Sequence, residues 1–175
     1  MTNETIQIYY YPVASVLGVE TYHETAVYTN SEGQTFYSLA TDTIPNKSLN
    51  LSAAGTAYNM VLAGIEANNN DPSIWGTLEA KTNVSFSLTD TNKDSPTTSI
   101  GVTQAGSNSQ YQSVMVASGA DLSSQWATMN STLNSISSDG LTYSPATQNS
   151  NSAMTSALQA AGITPPNSTG IFGGN

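Results

Sequence analysis

Residues 21–40 constrain the fold more tightly than any other stretch of this chain. Thr21-Tyr22-His23-Glu24-Thr25-Ala26-Val27-Tyr28-Thr29 reads as a β-strand, Asn30-Ser31-Glu32-Gly33 as a turn, and Gln34-Thr35-Phe36-Tyr37-Ser38-Leu39-Ala40 as the returning strand. A hairpin of this kind commits the chain to an antiparallel sheet. Successive side chains leave a strand on opposite faces. His23 therefore shares a face with Thr21, Thr25 and Val27, and Tyr22, Glu24 and Ala26 point the other way.

Other segments supply partners for that hairpin. Thr5 to Val13 begins in alternation, is rich in β-branched and aromatic residues, and predicts a strand, with Pro12 at its end or on an edge. Gly18 marks a turn. Leu49 to Ala67 predicts a helix with Leu51, Ala54, Tyr58, Val61, Leu62 and Ile65 on one face. Trp75 to Leu88 predicts a strand, and Ser99 to Thr103 and Tyr111 to Val116 predict two more. Asp121 is a good N-cap for a helix from about Leu122 to Ser137, which buries Leu122, Trp126, Met129, Leu133 and Ile136. The order of elements reads as α+β, an antiparallel sheet with packed helices. Residues 1–166 form one globular domain in this reading, and 167–175 a flexible Gly-rich tail.

Tyr143 to Gly162 is a loop that runs into a short helix. Pro145 keeps Ser144 out of helical geometry. Asn149, Ser150, Asn151 and Ser152 each carry a short side-chain oxygen able to accept from the free N–H groups of a first turn. Met154, Ala157, Leu158 and Ala161 form one apolar stripe, and Gly162 followed by Pro165-Pro166 closes the helix. A hydroxyl at such a helix start sits in the positive end of the helix dipole.

Composition narrows the function. Hydrophobic residues make up 38% of the 175 and charged residues only 9%, so the surface is neutral and polar. Twelve acids against three bases give a formal charge of −9, and Lys47, Lys81 and Lys93 form no patch. That argues against nucleic-acid binding and against anionic membranes, since phosphate contacts need Lys and Arg. With no cysteine there is no disulfide framework, thiolate metal site or thiol nucleophile. No window has the apolar length of a membrane span. No signal peptide is visible, so the expectation is a cytosolic chain or one exported by a one-step bacterial route. No cofactor or metal is expected. Asp90-Thr91-Asn92-Lys93-Asp94 opens like a calcium loop but lacks its glycine and distal glutamate, so it reads as solvated loop. Tyr9-Tyr10-Tyr11 reads as half-buried packing.

His23 is the only histidine, so any imidazole chemistry belongs to it. Ser150 and Ser152 are singled out among many serines by their place at the helix start, where N-capping is the plain structural role. A serine becomes a nucleophile only where a base takes its proton.

Tyr22-His23-Glu24-Thr25-Ala26-Val27-Tyr28 with its returning strand, followed much later by Asn149-Ser150-Asn151-Ser152-Ala153-Met154, resembles the circularly permuted papain-like group. That group contains the permuted NlpC/P60 peptidases and the lecithin:retinol acyltransferase-like proteins. In it a strand of the type His-x-x-Ile-Tyr precedes an Asn-Cys-x-x-Phe segment that opens a helix. Here Ser150 stands where the family has cysteine. Residues 119–162 also look like bacterial proteins associated with secreted, calcium-repeat-bearing polypeptides. The resemblance implies a permuted papain-like fold with His23 as base and Ser150 as nucleophile. Ser152, Asn149, Asn151, Tyr143 and Gln34 are alternatives or support, and Thr35 and Ser38 are further candidates to orient His23. It implies a hydrolase or acyltransferase acting on an amide or ester, with a cell-wall peptide or a lipid ester as substrate, or else a non-catalytic effector module that engages a protein partner. An exported structural protein is the third expectation, from the Ser/Thr/Asn-rich composition.

Overall fold

The computed structural model describes residues 2–16, 19–42, 76–86, 112–143 and 148–166. They form a five-stranded antiparallel sheet and two helices: β1 (Glu4–Val16), β2 (Val19–Thr29), β3 (Thr35–Asp42), β4 (Leu78–Phe86), β5 (Gln112–Gly119), α1 (Ser123–Ser138) and α2 (Ser150–Ala160). The sheet order is β4-β3-β2-β1-β5. The helix expected over 49–67, the strand over 99–103, the loop at 90–94, the turn at Gly18 and the tail from 167 lie outside the described residues.

The β2–β3 hairpin has Thr29 opposite Thr35 and ends at Thr25 opposite Leu39. Gly33 takes φ +79° in its turn, a conformation that glycine adopts without a Cβ penalty. β1 pairs with β2 from Thr5↔Thr29 to Val16↔Val19, so it runs past the expected end at Val13. Its register shifts between Pro12 and Ala14, where proline offers no N–H to the ladder. β5 closes against β1, from Glu4↔Gly119 to Tyr10↔Gln112. It runs three residues beyond the expected Val116.

Both helices pack on the sheet face that carries Ile6, Ile8, Tyr10, Ala26, Tyr28 and Ala40. Met129, Leu133, Met154, Ala157 and Leu158 are fully buried there. Trp126 stacks on Tyr28 with ring centroids 5.4 Å apart. Val27, Tyr37 and Leu39 form a second buried cluster on the opposite face.

The start of α1 differs from the sequence expectation. Its N-cap is Leu122, not Asp121. Asp121 Oδ1 still accepts from Ser123 N–H at 2.9 Å, but the Leu122 N–H goes to the Glu4 carboxylate at 2.6 Å. The same carboxylate accepts from the Tyr28 hydroxyl at 2.7 Å and the Ser31 N–H at 3.2 Å. These donors, Leu122 foremost, hold the Glu4 carboxyl below its ordinary pKa. One glutamate thus joins β1, the hairpin and α1, and nothing in its local sequence announces that role.

Candidate functional site

The site is built where β2 outlasts its pairing with β3. Beyond Thr25 no β3 residue is in register with β2. The next N–H, that of Glu24, points out of the ladder and is met by a side chain: Asn151 Oδ1 accepts it at 3.1 Å. The first turn of α2 therefore stands beside β2 at the place a neighbouring strand would take.

That turn is fixed by its own caps. Asn149 is extended at φ −122° and ψ −179°, as an N-cap should be, and its Oδ1 accepts from Asn151 N–H at 3.0 Å and Ser152 N–H at 2.9 Å. The Ser152 hydroxyl accepts from Asn149 N–H and donates to Asn149 carbonyl oxygen, at 2.9 and 2.8 Å, completing a capping box. At the other end Gly162 has φ +71°, and Ile163 N–H reaches Leu158 carbonyl oxygen at 2.9 Å, the closure that the Gly-Ile pair allows.

Held this way, Ser150 Oγ lies 3.0 Å from His23 Nδ1, across 127 residues of sequence. Ser150 is 4% exposed and His23 is half-buried. Burial pushes the imidazole pKa down to about 4, so the ring is neutral at pH 7. With its proton on Nε2, a neutral ring accepts the serine proton at Nδ1. With the proton on Nδ1, the ring donates to Oγ, and the hydroxyl turns instead to Asn151 Oδ1, 3.4 Å away. The first arrangement is reactive and the second is not.

The backbone limits what else the turn can offer. Asn149 and the helix consume the N–H groups of Asn151, Ser152 and Ala153. The Ser150 N–H takes no part in those bonds and is the amide of this turn able to meet a charge developing beside Oγ.

The other sequence candidates fall elsewhere. Ser152 is a capping residue. Tyr143 ties its N–H to Gly76 carbonyl oxygen at 3.0 Å and packs at the core margin. Gln34 sits in the hairpin turn, exposed, where Asn30 donates to its Oε1 at 2.8 Å. Its neighbour Thr35 pairs with Thr29, six strand residues or about 20 Å from His23, so neither orients the ring. Ser38 donates to Asn130 Oδ1 at 2.6 Å. No acid partner for His23 Nε2 is found among the described residues.

Sequence reasoning passed over Glu24. It is 3% exposed on the helix-covered face, and burial lifts its carboxyl to about 7. The alternation of β2 puts it on the face of Ala26 and Tyr28, which both helices cover. Also missed was a polar joint at β4. The register shifts between Tyr37 and Leu39 of β3, leaving Thr82 and Asn83 of β4 opposite Ser38, with Asn83 at φ +54°. Asn83 Oδ1 accepts from Trp126 Nε1 at 2.9 Å. An open groove of about 640 Å³ runs beside this joint, lined by Thr82, Asn83, Asn130 and Asn134 among others. It is not at the Ser150–His23 pair.

Among the described residues there is no cluster of three or more His, Asp and Glu suited to a metal ion, and no helix is long and apolar enough to cross a membrane. No family model, curated protein or solved structure matches this chain.

Proposed function

We propose that this chain is a permuted papain-like domain that performs acyl transfer with serine, as a hydrolase or acyltransferase acting on an amide or ester carbonyl. The observation that supports it is the 3.0 Å contact between Ser150 Oγ and His23 Nδ1 at the mouth of a capped helix. In the reaction, His23 Nδ1 takes the hydroxyl proton as Oγ bonds to the carbonyl carbon. The carbonyl oxygen gathers charge beside the Ser150 N–H. The intermediate then expels the amine or alcohol, which leaves with the proton held on Nδ1. Water or a second alcohol, deprotonated by the same nitrogen, then bonds to the acyl carbon, the Oγ–carbon bond breaks, and Ser150 Oγ takes back the proton from Nδ1.

The environment sets a slow pace. An imidazole near pKa 4 is free to accept at neutral pH but is a weak base, and each unit below the ordinary value costs about 1.4 kcal/mol in forming the imidazolium. Substrate contacts must offset that. A cell-wall peptide or a lipid ester is the substrate class carried by the resemblance, in a secreted bacterial effector.

A fluorophosphonate probe tests the reading. Mass spectrometry should find the adduct on Ser150, and neither Ser150→Ala nor His23→Ala should be labelled. A folded wild-type protein that the probe leaves untouched defeats the proposal.

A second reading is favoured by the 4% exposure of Ser150 together with the absence of an acid partner for His23 among the described residues. In it the pair is a structural contact in a non-catalytic binding module that engages another protein. Ser150→Cys separates the two. A thiol there that reacts with iodoacetamide far faster than free cysteine shows an assembled site, and one that reacts no faster supports the binding module.

A further inference from the structure

We infer that Asn151 is a positioning residue, one carboxamide that both ties the nucleophile's helix to the histidine's strand and leaves the Ser150 hydroxyl to the imidazole. This rests on the acyl-transfer reading for its function and on geometry alone for its structural part. Asn151 is 2% exposed, and its Oδ1 takes the Glu24 N–H, the residue next to His23. Asn151 is also the residue next to Ser150. The two reacting groups are therefore each one residue from the same hydrogen bond.

Distances decide how the hydroxyl is shared. Good O–H···O bonds span 2.5–3.0 Å. Ser150 Oγ is 3.4 Å from Asn151 Oδ1 and 3.0 Å from His23 Nδ1. A carboxamide oxygen already engaged by a main-chain donor competes weakly for the serine proton, and the proton goes to the ring. An apolar side chain at 151 would leave the Glu24 N–H buried without an acceptor and free the first turn of α2 to drift from β2. Among the described side chains, Glu24 and Tyr10, which lie opposite each other in the β1–β2 register, are titratable neighbours on the far side of the strand.

The chain's single histidine makes the test direct, because every imidazole signal in an NMR spectrum belongs to His23. The wild type, Asn151→Leu, Asn151→Asp and Ser150→Ala are compared by nitrogen-15 imidazole spectra and by fluorophosphonate labelling rate, with circular dichroism to check folding. In Asn151→Leu the ring signals should move to those of Ser150→Ala, and labelling should slow at least about tenfold, as for a misplaced reacting group. Asn151→Asp keeps an acceptor for the Glu24 N–H and should keep the fold, but its carboxylate draws the Ser150 hydroxyl from the ring, so the ring signals should move toward those of Ser150→Ala and labelling should slow at least about threefold. A folded Asn151→Leu with wild-type ring signals and labelling overturns the inference. If Asn151→Leu does not fold, Asn151→Asp decides: a folded protein whose ring has left Ser150 supports the inference, and wild-type ring signals and labelling overturn it. If the wild type is not labelled at all, the acyl-transfer reading falls, and the ring signals alone judge the positioning.

Discussion

Two joints fasten helices to this sheet through asparagine, and they differ in what stands beside the serine. At the joint between β3, β4 and α1, Ser38 is fully buried, accepts from Asn83 N–H at 2.9 Å and donates to Asn130 Oδ1. At the joint between β2 and α2, Ser150 is almost as buried but faces an imidazole. A main-chain amide and one carboxamide meet the first hydroxyl, and neither is a base that takes its proton. The second hydroxyl has a base in contact. Burial, a neighbouring asparagine and even a large groove are common to inert architecture; the base alone separates the two. The wide groove lies beside the inert joint, so cavity size would have pointed to the wrong place.

The largest expected effect breaks or keeps that distinction outright. Ser150→Ala should lower labelling by a serine-directed probe by at least about a thousandfold. Ser38→Ala should leave the rate unchanged while lowering stability by about 1 kcal/mol, read by urea unfolding. Equal losses of labelling would erase the contrast.

The next effect uses pH. His23 titrates near 4 when folded against an ordinary 6.5, so falling pH protonates the unfolded chain first and erodes stability across that window. Glu24 titrates near 7 when folded against 4.5, so rising pH ionises the unfolded chain first and erodes stability in the opposite sense. Between pH 4.5 and 6.5 the two slopes oppose and the wild-type profile is flat. Glu24→Gln should make unfolding free energy rise with pH by up to about 1.4 kcal/mol per unit, and His23→Ala should make it fall at a similar slope. Partial solvation of the ring trims the first slope. Asn83 variants at the other joint should leave the profile flat. Urea titrations at half-unit intervals read all four cases.

Smaller effects sharpen the picture. Asn149→Ala removes the acceptor for two N–H groups and should cost about 1 kcal/mol of unfolding free energy. At β4, Asn83→Gly loses the Trp126 bond but is at ease at φ +54°, whereas Asn83→Ala also carries about 1 kcal/mol of backbone strain. The difference between those two variants in urea unfolding isolates the strain; equal stabilities would show that the bulge relaxes.

Local pattern made much of this readable. Alternation from Thr21 to Ala40 marked the hairpin, and the spacing of Trp126, Met129 and Leu133 marked α1. The run from Asn149 to Ser152 marked the start of α2, and its order behind the His23 strand suggested that the two meet. Long-range closure was not readable. Nothing near Gln112 says that β5 will add to β1 rather than to the hairpin, because register depends on which faces find a core. The bulges at Pro12 and Asn83, the Glu4 bond to Leu122 and the buried Glu24 arise from tertiary contacts that no window of sequence contains.

The distance along the chain between imidazole and hydroxyl has a consequence in time. His23 leaves a ribosome 127 residues before Ser150, a delay of roughly 6–25 s at about 5–20 residues per second. Throughout that interval the strand exists and its partner does not. The pair is assembled only when α2 has docked, so on the acyl-transfer reading a nascent chain has no armed hydroxyl until its last helix is in place.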